Sequence, residues 1–335
     1  MLVFVVRRLA FLALTLLGMS VVLFVITRLI PADPARIAAG EYATREMIQS
    51  ARLELGLDRS LPEQYWVYLK AVTRGDLGRS VQSRRPVLAD LSTHFPATLE
   101  LSLFSLVLST LVAIPLGVVA ATRRGGKVDH SSRVTALLGI SLPIFWLGLM
   151  LQLVFYKHLS WFPYGGRLSS GLDAPPAVTG LYLIDSLIAM RGLVFVDALW
   201  HLVMPGLAMS GITIAVLSRM TRASMLDVLR REYVRVARAK GLPERRVIYR
   251  HALRNAALPI VTVLGIQFGI LLTGAVLTET VFSWPGIGRL AFKAIEALDY
   301  PVLMGFALLV TFVFSLINLL MDVCYGLLDP RIATR

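Results

Sequence analysis

Uncharged apolar residues gather into six stretches along the chain: Leu9–Thr27, Leu101–Thr122, Val134–Tyr156, Ala198–Ser218, Asn255–Thr278 and Tyr300–Met321. Each is close to the ~20 residues that a helix rising ~1.5 Å per residue needs to cross ~30 Å of hydrocarbon. The pattern predicts six membrane-spanning helices and an all-α membrane protein. Arg7 and Arg8 before the first stretch give it the look of a signal peptide. Its 19 uncharged residues exceed an apolar signal core of ~7–15, and Arg28-Leu-Ile-Pro-Ala is a poor cleavage site, so it is read as a span.

The connections carry weaker patterns. The first, from about Pro31 to Ala97, holds nine basic and eight acidic residues and reads as a small, partly helical, water-exposed segment. Met47, Ile48, Ala51 and Leu55 recur at helical intervals within Thr44–Leu55, and Pro62 opens a second helix aligning Tyr65, Trp66 and Leu69. Gly75-Asp-Leu-Gly78 reads as a turn. Lys157–Trp200, rich in Gly, Pro and aromatics, suits irregular backbone, with Leu181–Val196 as a short outer or interfacial helix broken by Asp185 and Arg191. Glu279–Asp299 holds Ser283-Trp-Pro-Gly286, a tight turn before a short helix.

Six spans put both termini on one side, and basic residues in short loops decide which. With the N-terminus inside, the N-terminal segment contributes +2, the second-to-third connection +3, the fourth-to-fifth +8 and the C-terminal tail zero. Together these equal the whole net charge of +13, so the outer segments sum to zero and the topology is N-in, C-in. Composition agrees: the chain is 56% hydrophobic and 16% charged, against about 25% charged in soluble domains. The basic surplus sits beside spans, where topology explains it without nucleic acid. The single cysteine, Cys324, excludes an intramolecular disulfide and a CxxC motif.

Several chemistries are missing. The chain has no GxxxxGK[ST], no HExxH and no GxSxG, and no two of its five histidines lie within five residues of each other. A membrane-embedded enzyme or a metal cage therefore finds no constellation. An ion-coupled carrier usually holds an ionisable residue at membrane depth, and the six stretches hold none. Gln152, Gln267 and Asn318 fit interhelical hydrogen bonding. The energy source must lie in another chain.

The fourth-to-fifth connection is the informative segment. A short helix, Tyr233–Lys240, places Tyr233, Val236 and Ala237 on one face; Gly241 suits the left-handed position after it, and Pro243 the first turn of the next helix. The chain turns a sharp corner there. Pro115, Pro143, Pro205 and Pro259 lie within or beside spans, as ordinary span prolines or as kinks around a path.

This segment resembles the EAA loop of ABC-importer permeases: Glu-Ala-Ala, three residues, Gly, nine residues, Ile-x-Leu-Pro. Aligned on Gly241, the triplet falls on Arg235-Val236-Ala237 and the tetrad on His251-Ala252-Leu253-Arg254. Ala237, Gly241 and Leu253 match; Arg235, His251 and Arg254 depart, so no role requiring a glutamate carries over to position 235. Ala-Arg-Ala-Lys-Gly-Leu and His-Ala-Leu-Arg-Asn-Ala instead resemble the peptide and nickel branch of the family. So do Gly56-Leu-Asp, Gln64-Tyr, Gly75-Asp-Leu-Gly, Pro96-Ala-Thr-Leu-Glu-Leu101, Ser141-Leu-Pro-Ile-Phe-Trp146, Arg219-Met-Thr-Arg-Ala-Ser-Met-Leu226, Thr278-Glu-Thr-Val-Phe-Ser-Trp-Pro-Gly286, Asp299-Tyr-Pro301 and Asp329-Pro-Arg331. The long outer segment after the first span is similar to that of the B-type permease subunit of a bacterial dipeptide importer.

The resemblance implies a type I ABC importer permease fold in the bacterial inner membrane. It divides the chain into an N-terminal span at 1–30, a periplasmic segment at 31–97, a five-helix core at 98–322 with the coupling loop at 219–256, and a cytoplasmic tail at 323–335. It implies a second, C-type permease subunit, two ATPase subunits that bind ATP and Mg, and a periplasmic peptide-binding protein, with lipid around the spans and no cofactor in this chain. Alternating access then moves the substrate. By the same analogy Arg235, Val236, Ala237 and Gly241 couple to the ATPase, Leu253 anchors the following helix, and the outer loops Lys157–Trp200 and Glu279–Asp299 receive the binding protein. The branch carries dipeptides, oligopeptides, nickel, glutathione and some sugars, so the substrate stays open within it.

Overall fold

The structure, a computed structural model, describes residues 2–29, 35–36, 43–54 and 56–328. The expectations on Pro31, Leu55, the side chain of Cys324 and Asp329-Pro-Arg331 lie outside them. Among the described residues there is no extended strand, only one isolated bridge between Arg79 and Pro86.

Five helices are long and apolar enough to cross a membrane, within Val6–Thr27, Val87–Thr122, Gly192–Leu229, Glu244–Thr273 and Tyr300–Val323. The third predicted span is made in two pieces, Lys127–Ser141 and the shorter apolar helix Ile144–His158. The reason is Pro143, which has no N–H for the helix ladder and biases Leu142 away from helical backbone. It adopts extended geometry, φ −62° and ψ 134°, immediately before the second piece. Pro115, Pro205 and Pro259 stay inside continuous helices.

The chain forms two compact units. The first comprises Met1–Phe95 with Arg289–Leu316. Here α1 (Leu2–Leu29) meets α3 (Leu61–Thr73) through a hydrogen bond between Ser20 and Tyr65 at 2.9 Å and through Phe24 packed on Tyr65 and Tyr68. Between them lies α2 (Arg45–Glu54), which starts one residue later than the apolar spacing predicts. At the start of α3 the Ser60 N–H donates to Glu63, and Pro62 occupies the first turn, where its missing N–H costs nothing. The turn after α3 has Gly75 and Gly78 at φ of +81° and +82°, and Asp76 accepts the Gly78 N–H at 2.9 Å. Ser80 donates to Asp299 at 2.6 Å, tying this turn region to the Asp299-Tyr-Pro301 motif at the start of the last helix.

The second unit comprises Pro96–Gly288 with Ile317–Arg335. Its helices are α4 (Val87–Thr122, shared with the first unit), α5 (Lys127–Ser141), α6 (Ile144–Leu151, continuing through a π-turn to His158), α7 (Tyr182–Ile188) and α8 (Gly192–Leu229). They are followed by α9 (Glu232–Ala239), α10 (Glu244–Arg246, continuing through the π-turn Val247–Leu253) and α11 (Arg254–Val281). Two more straddle the units: α12 (Ile287–Glu296) and α13 (Tyr300–Leu328). The apolar stretch Leu181–Val196 is neither one helix nor an extra span. It is α7, a reversal at Met190 with φ +53°, and the first turns of α8.

Without a hydrophobic force between helices in lipid, small residues decide where helices approach. A side chain at Gly117 would sit 2.6 Å from Thr221 on α8, one at Gly139 would sit 3.0 Å from the Gly211 carbonyl, and one at Gly206 would overlap Phe104. These three glycines set the α4–α8 and α5–α8 crossings. A cluster of Ala113, Val118 and Ala121 with Leu217, Met225, Ala252, Ala256, Ile260 and Val263 joins the inner ends of α4, α8 and α11.

Candidate functional site

The loop between α8 and α11 folds as a corner with two unlike faces. Helix α9 begins after Arg231, whose extended backbone at φ −72° and ψ 146° stops α8 from continuing. Inward, Val234 and Ala237 are buried against Val247, Val228, Leu229 and Leu242. Outward stand Tyr233, Val236 and Arg235. Sequence spacing groups Ala237 with Tyr233 and Val236 on one face; the structure turns Ala237 inward, because the i, i+3 partner it shares a contact with is Val234. Partial burial pushes the Tyr233 phenol pKa up, against the opposing pull of Arg231.

Gly241 ends the helix at φ +73°, the left-handed conformation that a Cβ would strain, and nothing stands within 4 Å of where that Cβ would lie. Its N–H donates to the Arg238 carbonyl at 2.9 Å. Pro243 follows in extended conformation, one position before the new helix and not within its first turn. The corner is clamped from outside by Arg238, which makes two hydrogen bonds to Glu244, at 2.7 and 3.2 Å. The bond to Glu244 holds the Arg238 guanidinium pKa above its ordinary value, with burial acting the other way. Arg235 pairs only locally, with Glu232 at 2.9 Å, and its side chain is 71% exposed. Leu253, at the end of the π-turn, packs on the cluster that joins α4, α8 and α11.

Of the five positions, Ala237 and Leu253 are therefore held by this chain's own packing, Gly241 makes the corner, and Arg235 and Val236 face outward. A buried ion pair completes the inner end. Arg222 on α8 makes two hydrogen bonds to Asp129, at 2.7 and 3.0 Å, fixing the first turn of α5 to α8.

At the outer end of this unit lies a polar cluster that sequence reasoning missed. Arg167 donates to Glu100 at 2.5 Å and to the Gly180 carbonyl at 2.9 Å, with its guanidinium 3.4 Å from the centre of the Tyr182 ring. Glu100 also accepts the Leu183 N–H at 2.8 Å. Asp185 accepts the backbone N–H groups of Val178, Thr179 and Gly180 and the Thr179 hydroxyl. Burial alone would raise its carboxyl pKa; those bonds bring it below the ordinary value. Glu279 is buried and accepts from Thr98, whose hydroxyl in turn accepts the Ile287 N–H at 2.8 Å, and the Trp284 indole donates to the Ala97 carbonyl. A signal for this cluster did exist: Glu100 and Glu279 each stand next to the end of an apolar stretch, inside motifs that also hold Thr98 and Trp284.

Comparison with known proteins follows this geometry. Residues 113–334 match the family described as binding-protein-dependent transport system inner membrane component, and residues 1–102 match the description of its N-terminal part. The chain is 46% identical over 321 residues to the probable D,D-dipeptide transport system permease protein DdpB of Escherichia coli K12, covering 96% of this chain and 94% of that relative. It is 46% identical over 335 residues to the dipeptide transport system permease protein DppB of the same strain, covering 99% of each. Among solved structures, a chain of the MetNI methionine ABC transporter in an inward-facing conformation aligns with a TM-score of 0.50 at 13% identity, covering 70% of this chain and 93% of that chain. That likeness concerns the fold.

Proposed function

The chain belongs to the family of binding-protein-dependent transport system inner membrane components, and on that premise we propose that it forms half of the translocation path of an ATP-driven importer of dipeptides and other short peptides. As such a component it is a multi-pass inner-membrane ABC permease, not itself catalytic, that works with an ATPase and a binding protein. The peptide substrate is supported by two relatives, each 46% identical over nearly the whole chain and each named for dipeptide transport. The reading extends to a second permease chain of C type, two ATPase subunits holding ATP and Mg, and a periplasmic peptide-binding protein. Residues 98–322 then act as the core, behind an N-terminal span at 1–30 and a periplasmic segment at 31–97 and before a tail at 323–335. The outer loops Lys157–Trp200 and Glu279–Asp299 receive the binding protein.

The observation that carries the mechanism is the two-faced corner at 232–244. Its outward face, Arg235 and Val236, is open to a partner, while its inward face is locked through Val234 and Ala237 onto the end of α8 and onto Val247. A displacement of α9 by the ATPase therefore reaches two spans at once. It passes to α8 through Val228 and Leu229, and to α11 through Val247 and Leu253. Gly241 and the Arg238–Glu244 clamp keep the corner from folding under load. Closure of the ATPase dimer then swings the spans and opens the path to the other side.

Peptide-stimulated ATP hydrolysis by the reconstituted complex tests this. Gly241→Pro demands φ near −65° where the chain has +73° and removes the N–H given to Arg238. Stimulation is expected to fall to the unstimulated rate with the complex still assembled. Gly241→Asn, which tolerates the left-handed conformation, should retain it. Full stimulation in Gly241→Pro would mean that the segment is only a topogenic basic loop.

A further inference from the structure

The unit made of residues 1–95 and 289–316 holds a half-open cavity of about 870 Å³. Its walls come from α1 (Ala13, Leu17, Ser20), the end of α3, the first turns of α4 and the outer half of α13. Three hydroxyls line it, and all are spent internally. Ser20 bonds to Tyr65 and the Leu17 carbonyl, Thr73 to the Lys70 carbonyl, and Ser92 to the Ala89 carbonyl. With its hydroxyl protons spent and the rest of its lining apolar, the wall suits hydrocarbon. Left empty, the lining would forfeit its dispersion contacts.

The depth of the cavity follows from topology. Helix α13 starts at the outer side with Tyr300, which places the lining residues Gly305, Leu308, Leu309 and Phe312 in the outer half of its span. Ala13–Ser20 lie in the middle of α1. At the outer rim, Lys70 stands in the last turn of α3 and Arg74 caps it, both exposed and adjacent in sequence to the lining residues Leu69, Val72 and Thr73. The nearby carboxylate of Asp76 is engaged by the Gly78 N–H. An apolar chamber at membrane depth beside Lys70 and Arg74, whose two positive charges outnumber the single negative charge of exposed Asp76, suits a molecule with hydrocarbon below an anionic head.

We propose that this cavity holds an acyl chain of an anionic phospholipid from the outer leaflet, with the headgroup phosphate at Lys70 and Arg74. Bound there, the lipid fills the space between α1, α13 and the outer segment and makes one unit of them.

The test uses the full importer complex in bilayer nanodiscs of phosphatidylcholine containing phosphatidylglycerol with a photoreactive diazirine on its acyl chain. After irradiation, labelled peptides are mapped by mass spectrometry. Label should concentrate on the segments 69–77, 88–95 and 305–312, above the exposed α4 residues Val107 and Leu111. Lys70→Gln and Arg74→Gln, both at exposed sites, should each lower the cavity labelling by about fivefold, as expected for one basic residue at an anionic membrane surface. The same diazirine on phosphatidylcholine should label the cavity weakly and ignore both changes. Leu309→Trp, which narrows the chamber, should lower the enrichment. Uniform labelling of cavity and exposed residues would overturn the proposal, as would enrichment indifferent to the two charges. Enrichment in the isolated chain that vanishes in the assembled complex would also overturn it, by showing that a partner subunit fills the cavity.

Discussion

The two ends of the unit built on residues 96–288 use charge in opposite ways. At the cytoplasmic end basic residues are many, and besides Arg222 with Asp129 there are local, exposed pairs among the described residues: Arg235 with Glu232, and Arg238 with Glu244. At the outer end charges are fewer, and although Lys157, Asp173 and Arg191 are exposed, those of the polar cluster are buried. The side chains of Arg167 and Glu100 are 8% and 5% exposed, and Asp185 and Glu279 are nearly closed off from solvent. Exposed pairs contribute little to stability and leave their charges available to a partner. Buried pairs hold a fixed shape, because removing either member strands the other in a medium that does not solvate it. The outer end is built to keep loop 165–186 in place, the inner end to be grasped and moved.

Breaking the Arg167–Glu100 pair is the strongest test of that contrast. Arg167→Met leaves Glu100 buried with only the Leu183 N–H as donor and is expected to destabilise the unit by about 3–5 kcal/mol. Thermal unfolding of the purified chain measures this. Adding Glu100→Leu should recover most of the loss, since an apolar pair of similar size needs no compensation. A small effect of Arg167→Met alone would mean that the outer end is no more rigid than the inner one.

Asp185 comes next. Asp185→Asn keeps the shape but gives up a carboxylate that accepts three backbone N–H groups and a hydroxyl, an expected loss of about 1.5–3 kcal/mol. The pH dependence has a definite sign. The folded carboxyl titrates below its ordinary 3.8, so its stabilisation is complete above that value and disappears as the pH falls through the lower folded pKa. Acid titration of stability below pH 3.8 should therefore be shallower in Asp185→Asn than in the parent. Equal slopes would remove Asp185 from the outer framework.

How far each end could be read beforehand follows from the same difference. Local sequence signals are read directly, so the corner at Gly241 and the helix before it were legible to within a residue. Five of the six spans were legible because apolar length is a one-dimensional property; the third, broken at Pro143, was the exception, its break hidden inside an uncharged run. The outer cluster was not legible. Arg167 and Glu100 are 67 positions apart, and their burial depends on the path of a Gly-rich loop whose backbone Gly165 lets lie against Phe282. In the charge count such residues cancel, so the count gave no sign of their pairing. Ala237 shows the limit of periodicity as well: spacing defines a face but not which neighbour that face meets.

The Arg238–Glu244 clamp should show a smaller effect on stability. Both side chains are partly exposed, and Arg238→Gln is expected to cost no more than about 1 kcal/mol, less as salt is raised. Peptide-stimulated ATP hydrolysis should fall further than stability does, because the clamp stiffens the corner through which force passes. A loss of stability without a loss of stimulation would make it a structural pair like those of the outer end.

Arg235→Ala should have the smallest effect on the fold and the most informative one on function. The side chain stands 71% exposed with only Glu232 as partner, so unfolding should shift by no more than about 0.5 kcal/mol. If the outward face of α9 is where the ATPase sits, the same change weakens association of the ATPase with the permease, measured by co-purification over a series of salt concentrations. The weakening should be greatest at low salt, where an exposed charge acts over the longest range. Unchanged association across that series would place the docking contact on Val236 and the helix backbone, leaving Arg235 among the charges that serve topology alone.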